Sequence, residues 1–223
     1  MRGVPALDTA MRKGAFPGPP AGGELAGRRL LLLGFGGIAR RVALVAGHGL
    51  GMRVTALGRR PLPARAAAEG LTAEEFLDAH GLEACVTEPA GAVAGADVVS
   101  VHLPSTAQTR HFVNAEFLAR MPRHARLINT ARGPVVDEAA LYDTLEDKRL
   151  AGAALDVYEN EPYAPAAPDK DLRTLDNVVL TPHIGSNTRE ANTRMAKTCE
   201  ENVRRFLAGD YAGMTTVATP AAP

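Results

Sequence analysis

The chain has no tryptophan, two cysteines, and aromatic residues at only 4% of its 223 positions. Cys85 and Cys199 lie far apart and match no metal or redox spacing. That argues against a disulfide framework and against a metal centre, and it fits a reducing cytoplasm. Long apolar runs are absent as well. The run at Leu30 is far too short to span a bilayer, and the N-terminus lacks the continuous apolar stretch of a signal peptide. Neither sign of charge is in excess: 25 Lys and Arg balance 25 Asp and Glu. No basic footprint points to nucleic acid, so neither nucleic acid nor a membrane is expected as a partner. What remains is a chain that is 46% hydrophobic and long enough for one large domain with a proper core.

Strand-like and helix-like segments alternate along that domain. Strands are expected at 28–33, 52–57, 84–87, 96–101, 126–129, 151–156 and 177–180, the fourth buried on both faces through Val98, Val99 and Val101. Helices are expected at 37–48, 64–69, 73–80 and 187–207. Asn114 and Asp137 read as N-caps of two more, each with a staple-like apolar pair, Val113 with Leu118 and Val136 with Leu141. The last helix carries a stripe of Ala191, Met195, Cys199, Val203 and Phe206, expected to be buried, and Gly209 ends it. Residues 1–27 look unlike the rest; their Gly/Pro-rich stretch at 14–23 cannot sustain a helix or strand, and 1–24 read as the end of a helix and a loop that enter the main domain. The alternation implies a doubly wound parallel α/β sheet. The expected division is a lead-in segment at 1–24, a main domain at 25–186, a return helix at 187–209 and a fraying tail at 210–223.

The most informative stretch is Leu33-Gly34-Phe35-Gly36-Gly37-Ile38-Ala39. An apolar strand breaks into a glycine turn and opens an amphipathic helix with Ile38, Val42 and Val45 on one face. Gly34, Gly36 and Ala39 fit the G-x-G-x-x-A form of the dinucleotide fingerprint. A tight turn needs the first glycine. The second lets a pyrophosphate approach the backbone, and the alanine lets the helix pack close to the sheet. The helix N-terminus then offers free N–H groups to the phosphates.

Ligands of open α/β sheets sit beyond the carboxyl ends of the strands. Three polar clusters fall there: Asn129-Thr130-Ala131-Arg132-Gly133, Asp156-Val157-Tyr158-Glu159-Asn160-Glu161 and Thr181-Pro182-His183-Ile184-Gly185-Ser186. Each member has a plain alternative. Arg132 also reads as a surface turn residue, His183 as a core histidine, Glu159 and Glu161 as solvated charges, and Asp156 as a turn cap. Their joint occurrence at three successive strand ends suits reduction of a 2-keto acid. An Arg polarises the carbonyl and holds the carboxylate, a His moves the proton, and a Glu fixes the His tautomer.

With Val101-His102-Leu103-Pro104, with the stretches 127–133, 150–157 and 181–185, and with Gly23-Glu24-Leu25-Ala26-Gly27 leading into the fingerprint, residues 22–210 resemble the D-isomer-specific 2-hydroxyacid dehydrogenases. That family includes phosphoglycerate dehydrogenases, glyoxylate/hydroxypyruvate reductases and formate dehydrogenases of the NAD type. The resemblance implies a Rossmann-type NAD(P)-binding domain and hydride transfer between NAD(P)H and a small 2-keto/2-hydroxy acid. It implies Arg132, Glu161 and His183 as the catalytic set and Asp156 as a nicotinamide carboxamide contact. Gly34, Phe35, Gly36, Gly37, Ile38, His102, Gly185 and Ser186 would join the cofactor site. Thr130 and Ala131 would line the nicotinamide pocket, and Pro104 and Thr109 would lie near the adenosine or the bridging phosphates. A homodimer through the cofactor domain is implied too, with the lead-in segment as part of an arm. The rival reading is a non-catalytic nucleotide-binding module or a corepressor-like binding protein. A methyltransferase would leave the Arg, Glu and His clusters without a purpose.

The chain departs from the family at two places. Twenty-two positions past Gly36, where an acidic residue would bind the adenosine ribose in an NAD enzyme, stand Gly58, Arg59 and Arg60. Without a carboxylate there, and with arginines able to pair a 2′-phosphate, NADPH is favoured over NADH; solvated loop arginines are the alternative. The substrate lobe that precedes the cofactor lobe in the family is also largely missing. An upstream reading frame or a second chain is expected to supply it.

Overall fold

The computed structural model describes residues 3–16, 18 and 22–215. Two compact units divide the chain, one over Met1–Pro182 and one over His183–Pro223.

The first unit opens with α1 (Val4–Arg12), then β1 (Arg29–Leu33), α2 (Gly37–Leu44), β2 (Arg53–Leu57), α3 (Leu62–Ala67), α4 (Ala73–Ala79), β3 (Ala84–Val86), α5 (Ala90–Ala94) and β4 (Val98–Val101). It continues with α6 (Ala115–Arg120), β5 (Arg126–Asn129), α7 (Glu138–Glu146), β6 (Gly152–Leu155) and β7 (Val178–Leu180). All seven strands are parallel, in the order β3-β2-β1-β4-β5-β6-β7. This is the doubly wound, Rossmann-type sheet. Successive residues of β1 feed opposite faces. Leu31 and Leu33 pack with Val99, Val101 and Leu127 on one side, while Leu30 and Leu32 pack with Ala39, Ala43, Val54 and Phe76 on the other. A strand buried on both faces needs an unbroken apolar run, which is why β1 reads Leu-Leu-Leu-Leu after Arg29. Each fully buried leucine contributes about 1.5–3 kcal/mol of transfer free energy.

Both read N-caps are present. The Asn114 side chain accepts the N–H of Phe117 at 2.9 Å, and that of Asp137 accepts the N–H of Ala140 at 3.0 Å. α1 forms within the lead-in segment, where a helix end was expected, with Pro5 in its first turn and an Asp8–Arg12 pair along it. Two elements differ from the sequence reading. α5 appears where no helix was expected. The helix after the glycine turn stops at Leu44 and widens into a π-type turn at Val45–Gly49. The lead-in positions Pro17, Pro19 and Pro20, and the tail from residue 216 on, lie outside the described residues.

The second unit holds α8 (Arg189–Leu207), capped by the Thr188 side chain on the N–H of Ala191 and ended by Gly209 at φ 76°. The expected burial of its apolar stripe is not found. No residue of α8 is buried, and Met195, Val203 and Phe206 are more than half exposed. The 3.6-residue period sets which residues share a face but not what covers that face. Residues 210–215 turn back on the helix, where the Asn202 side chain bonds the backbone of Thr215 at 2.8 and 2.9 Å. No helix among the described residues is long and apolar enough to cross a membrane.

The strand order reverses between β1 and β4, and there the two carboxyl ends come close. Gly34 sits at φ 99°, and a Cβ on it would lie 2.8 Å from the His102 carbonyl oxygen. Gly34→Ala therefore meets both backbone strain and a clash with main chain, costing roughly 1–3 kcal/mol. A fall in Tm of about 2–10 °C is expected by calorimetry for a domain of this size, and an unchanged Tm would show that the turn relaxes freely.

Candidate active site

At the reversal point the glycine turn forms an open cradle. The Gly34 N–H bonds the Leu57 carbonyl at 3.0 Å, which fixes the turn to β2. Gly36 is the N-cap of α2 with an extended backbone and no side-chain cap, so the first N–H groups of the helix face outward unsatisfied. A Cβ on Gly36 or Gly37 would meet nothing within 4 Å. Ala39 is fully buried against the sheet, while the apolar side chain of Ile38 is 72% exposed at the mouth. Space, free donors and a positive helix end together fit the pyrophosphate of a dinucleotide. Phe35 points the other way. Its ring is buried against Phe76 and His80, at centroid distances of 6.2 and 5.7 Å, with the Arg40 guanidinium over it at 5.1 Å. Arg40 in turn pairs with Glu69 at 2.6 Å, and His80 meets the same carboxylate at 2.9 Å. The side chain of Phe35 thus anchors the turn from below.

At the end of β2 the expected arginines Arg59 and Arg60 are exposed. A third, Arg65 of α3, was not read from the sequence. Its guanidinium occupies the place a side chain at position 58 would take, 1.7 Å from where a Cβ on Gly58 would lie. Arg65 Nε donates to the Arg60 carbonyl at 2.8 Å, and the guanidinium stacks 5.7 Å from the Phe35 ring centroid. Burial lowers its pKa, opposed by Cys85 and reinforced by the nearby charges of Arg60 and Arg40. Among the described residues none of Arg59, Arg60 and Arg65 pairs with a carboxylate. A cluster of cations without counter-charge, beside a phosphate cradle, fits an anion.

After β4, the His102 imidazole bonds the Ser100 hydroxyl at 3.0 Å, and burial pushes its pKa down. Pro104 is exposed. The Thr109 hydroxyl is engaged within its own turn, donating to the Pro104 carbonyl at 2.6 Å and accepting the Thr106 N–H at 2.9 Å.

The turns after β5 and β6 are built against each other. Asn129, 1% exposed, accepts the Ala131 N–H at 3.1 Å and donates to the Arg132 carbonyl at 3.0 Å. That bracket presents Thr130 and the exposed Arg132 at the sheet edge, with Ala131 half-buried. Gly133 follows, and any side chain there is excluded, because a Cβ would lie 1.8 Å from the Tyr158 carbonyl oxygen. The second turn is closed by the Glu161 carboxylate, which accepts the Tyr158 N–H at 3.0 Å. Asp156 is buried and accepts the Thr181 hydroxyl at 2.5 Å, while the Tyr158 hydroxyl donates to the Thr181 carbonyl at 2.8 Å. Arg132, Glu161 and Asp156 thus share one edge of one unit. His183, with φ 54°, Gly185 and Ser186 belong to the second unit.

Two further residues at this edge escaped the sequence reading. Glu138 is buried in the first turn of α7, and one of its oxygens accepts the Glu159 N–H at 2.5 Å. His111, at φ 49°, pairs through Nε2 with Glu159, and Arg110 approaches the same carboxylate at 3.5 Å. Both contacts join segments more than twenty residues apart, so no local spacing announces them.

With this geometry in place, comparison with known proteins is informative. Residues 1–185 match the family described as D-isomer specific 2-hydroxyacid dehydrogenase, NAD binding domain. A glyoxylate reductase of Korarchaeum cryptofilum is 39% identical over 189 residues, covering 85% of this chain and 52% of that protein. The crystal structure of a glyoxylate reductase from Paecilomyes thermophila superposes with a TM-score of 0.80 at 32% identity, covering 98% of this chain and 60% of that one. A D-isomer specific 2-hydroxyacid dehydrogenase from Xanthobacter autotrophicus Py2, in complex with NADPH and MES, gives 0.71 at 35% identity, covering 94% and 78%. The chain spans no more than about half the length of the first relatives it matches, from 33% to 54%. It belongs to the D-isomer-specific 2-hydroxyacid dehydrogenase family and comprises that family's NAD-binding domain.

Proposed function

We propose that the chain carries the dinucleotide-binding half of an oxidoreductase acting on the CH–OH group of a small D-2-hydroxy acid or on the matching 2-keto acid. The observation that carries this reading is the open glycine cradle at the strand-order reversal, with the Arg132 and Glu161 turns along the same sheet edge. The names of the glyoxylate reductases among its relatives support the substrate class. Gly34, Gly36, Gly37 and Ile38 hold the dinucleotide, with Thr130, Ala131 and Asp156 toward the nicotinamide. NAD(P)H, when bound, supplies the hydride. Arg132 holds the substrate carboxylate and polarises its carbonyl. His183 gives or takes the proton at the carbonyl oxygen, and Glu161 is the carboxylate of the set. The domain acts as a homodimer, a reading supported by the exposed apolar side chains Val45 and Leu50 beyond α2; a monomeric mass at micromolar concentration would contradict it.

Two outcomes are expected. The purified chain should bind NADPH, read by nicotinamide fluorescence, yet reduce glyoxylate or hydroxypyruvate slowly. The chain spans about half the length of its relatives, and the positioning of substrate and exclusion of water by a complete cleft carry several powers of ten in rate. Gly36→Ala should leave Tm unchanged and weaken NADPH binding, whereas Arg132→Ala should leave binding intact and abolish the residual turnover. Binding with no turnover in the parent chain, and no effect of Arg132→Ala, would favour a binding module.

The same titration tests cofactor choice. NADPH should bind more tightly than NADH, through Arg59 and Arg60 with Arg65 beside them. Charge-assisted hydrogen bonds to a partly exposed 2′-phosphate contribute about 1.5–3 kcal/mol, or about 10–150-fold in affinity. Arg59→Ala and Arg65→Ala should each weaken NADPH and barely touch NADH. Equal affinities in the parent chain, or equal losses for both cofactors, would make the arginines solvated loop charges.

A further inference from the structure

Glu138 has no part in the chemistry described so far, and its position is unusual for a first-turn glutamate. Such a residue ordinarily faces solvent at the helix N-terminus. This one is 3% exposed and reaches across to the turn after β6. One oxygen accepts the Glu159 N–H, and the other is enclosed with no hydrogen-bond partner among the described residues. From that turn Glu159 and Glu161 bear on it, and the phenols of Tyr158 and Tyr163 lie within its field. On the far side of Glu159 stand His111 and Arg110. His111 also lies 3.9 Å from Asp137, the cap that precedes Glu138.

We propose that Glu138 is a positioning residue: its enclosed carboxyl anchors the turn carrying Glu161 to the start of α7, just after the Arg132 turn. The catalytic part of this inference rests on the role proposed for Glu161. Gly133 and Tyr158 already touch main chain to main chain, so the two turns move together or not at all. The Glu138–Glu159 bond adds a side-chain tie from the second turn to the start of α7, five residues after Gly133. Tyr158 N–H, one residue before the tie, is the group that holds the Glu161 carboxylate. A shift of the tie is therefore passed to Glu161 through a single residue of backbone, Tyr158. As a neutral acid Glu138 keeps a carbonyl oxygen for the Glu159 N–H and adds no third negative charge to Glu159 and Glu161. Burial first, and those two carboxylates after it, push its pKa up to about 7, against the stabilising Glu159 N–H bond.

The sign of the pH effect follows. The folded state holds this proton more tightly than the unfolded chain does. The resulting stability is fully present below the ordinary carboxyl range and is lost as pH rises toward 7. Glu138→Gln keeps an acceptor for the Glu159 N–H and cannot titrate, whereas Glu138→Ala removes the tie.

The test uses the full chain and both variants. In the parent, the Glu159 amide resonance should shift with a midpoint near 7. In Glu138→Gln it should be flat, and the Tm of that variant relative to the parent should rise between pH 5 and pH 8. In glyoxylate reduction with NADPH, kcat of the parent should fall on the alkaline side of that midpoint. Glu138→Gln should lose that limb and keep most of the kcat seen at pH 6. Glu138→Ala should lose roughly 10–100-fold in kcat at every pH, as for a displaced catalytic group, with KM for NADPH within about twofold. An amide midpoint that persists in Glu138→Gln overturns the proposal, as do equal losses and unchanged pH profiles in both variants. Absence of turnover in the parent would remove the role of Glu161, while the amide titration and the Tm difference would still decide whether Glu138 is the anchor.

Discussion

The close approach of β1 and β4 at their carboxyl ends governs the rest of the molecule. The chain runs from β1 outward through β2 and β3 and then returns across β1 to begin β4. That return opens a crevice between the two halves, and main chain must pass main chain at its floor. Gly34 against the His102 carbonyl is the point of passage. The leucine run of β1 and the valines of β4 hold the two strands together on both faces. With the floor fixed, the start of α2 faces outward, and the turns that follow β5 and β6 line up along the same edge.

Those turns owe their shape to buried polar groups more than to surface charge. Asn129 and Asp156 are buried, and each satisfies or is satisfied by neighbouring groups at hydrogen-bond distance. In a low-dielectric setting such bonds are directional and costly to break. The exposed pairs tell a different story. Arg53–Glu83, Arg120–Glu116 and Arg204–Glu200 are geometrically sound but solvated, and exposed pairs contribute about 0–1 kcal/mol each. The edge is rigid where its polar groups are enclosed, which is also where the exposed Arg132 is held by its own backbone.

The sequence was most legible where local chemistry decides the outcome. Unbroken apolar runs located the seven strands, the fingerprint glycines located the turn, and Asn114 and Asp137 located two helix starts through their own side chains. Legibility failed in two ways. The widened turn at Val45–Gly49 is a small adjustment of backbone that no side-chain pattern marks. Arg65, His111 and Glu138 are long-range meetings. Arg65 reads as one more exposed helix arginine until Gly58 is seen to leave its space open, and Glu138 reads as an ordinary first-turn acid until β6 is placed beside α7. The stripe on α8 failed for a related reason, since period alone identifies an apolar face without naming what it meets.

Composition hides one more feature of the edge. The formal net charge is zero, yet charge is sorted by position. Arg40, Arg59, Arg60 and Arg65 gather where β2 ends, and among the described residues only Arg40 of these has a carboxylate partner, Glu69. Glu138, Glu159 and Glu161 gather where β6 ends, with His111 and Arg110 on Glu159. Like charges held close raise the energy of the bare protein and lower it for whatever neutralises them. On the proposed readings an anion compensates the β2 end and a proton the β6 end, because a carboxyl that accepts one ceases to repel its neighbours. One fold would then answer the same electrostatic problem twice along a single sheet edge, with a phosphate at one end and a retained proton at the other.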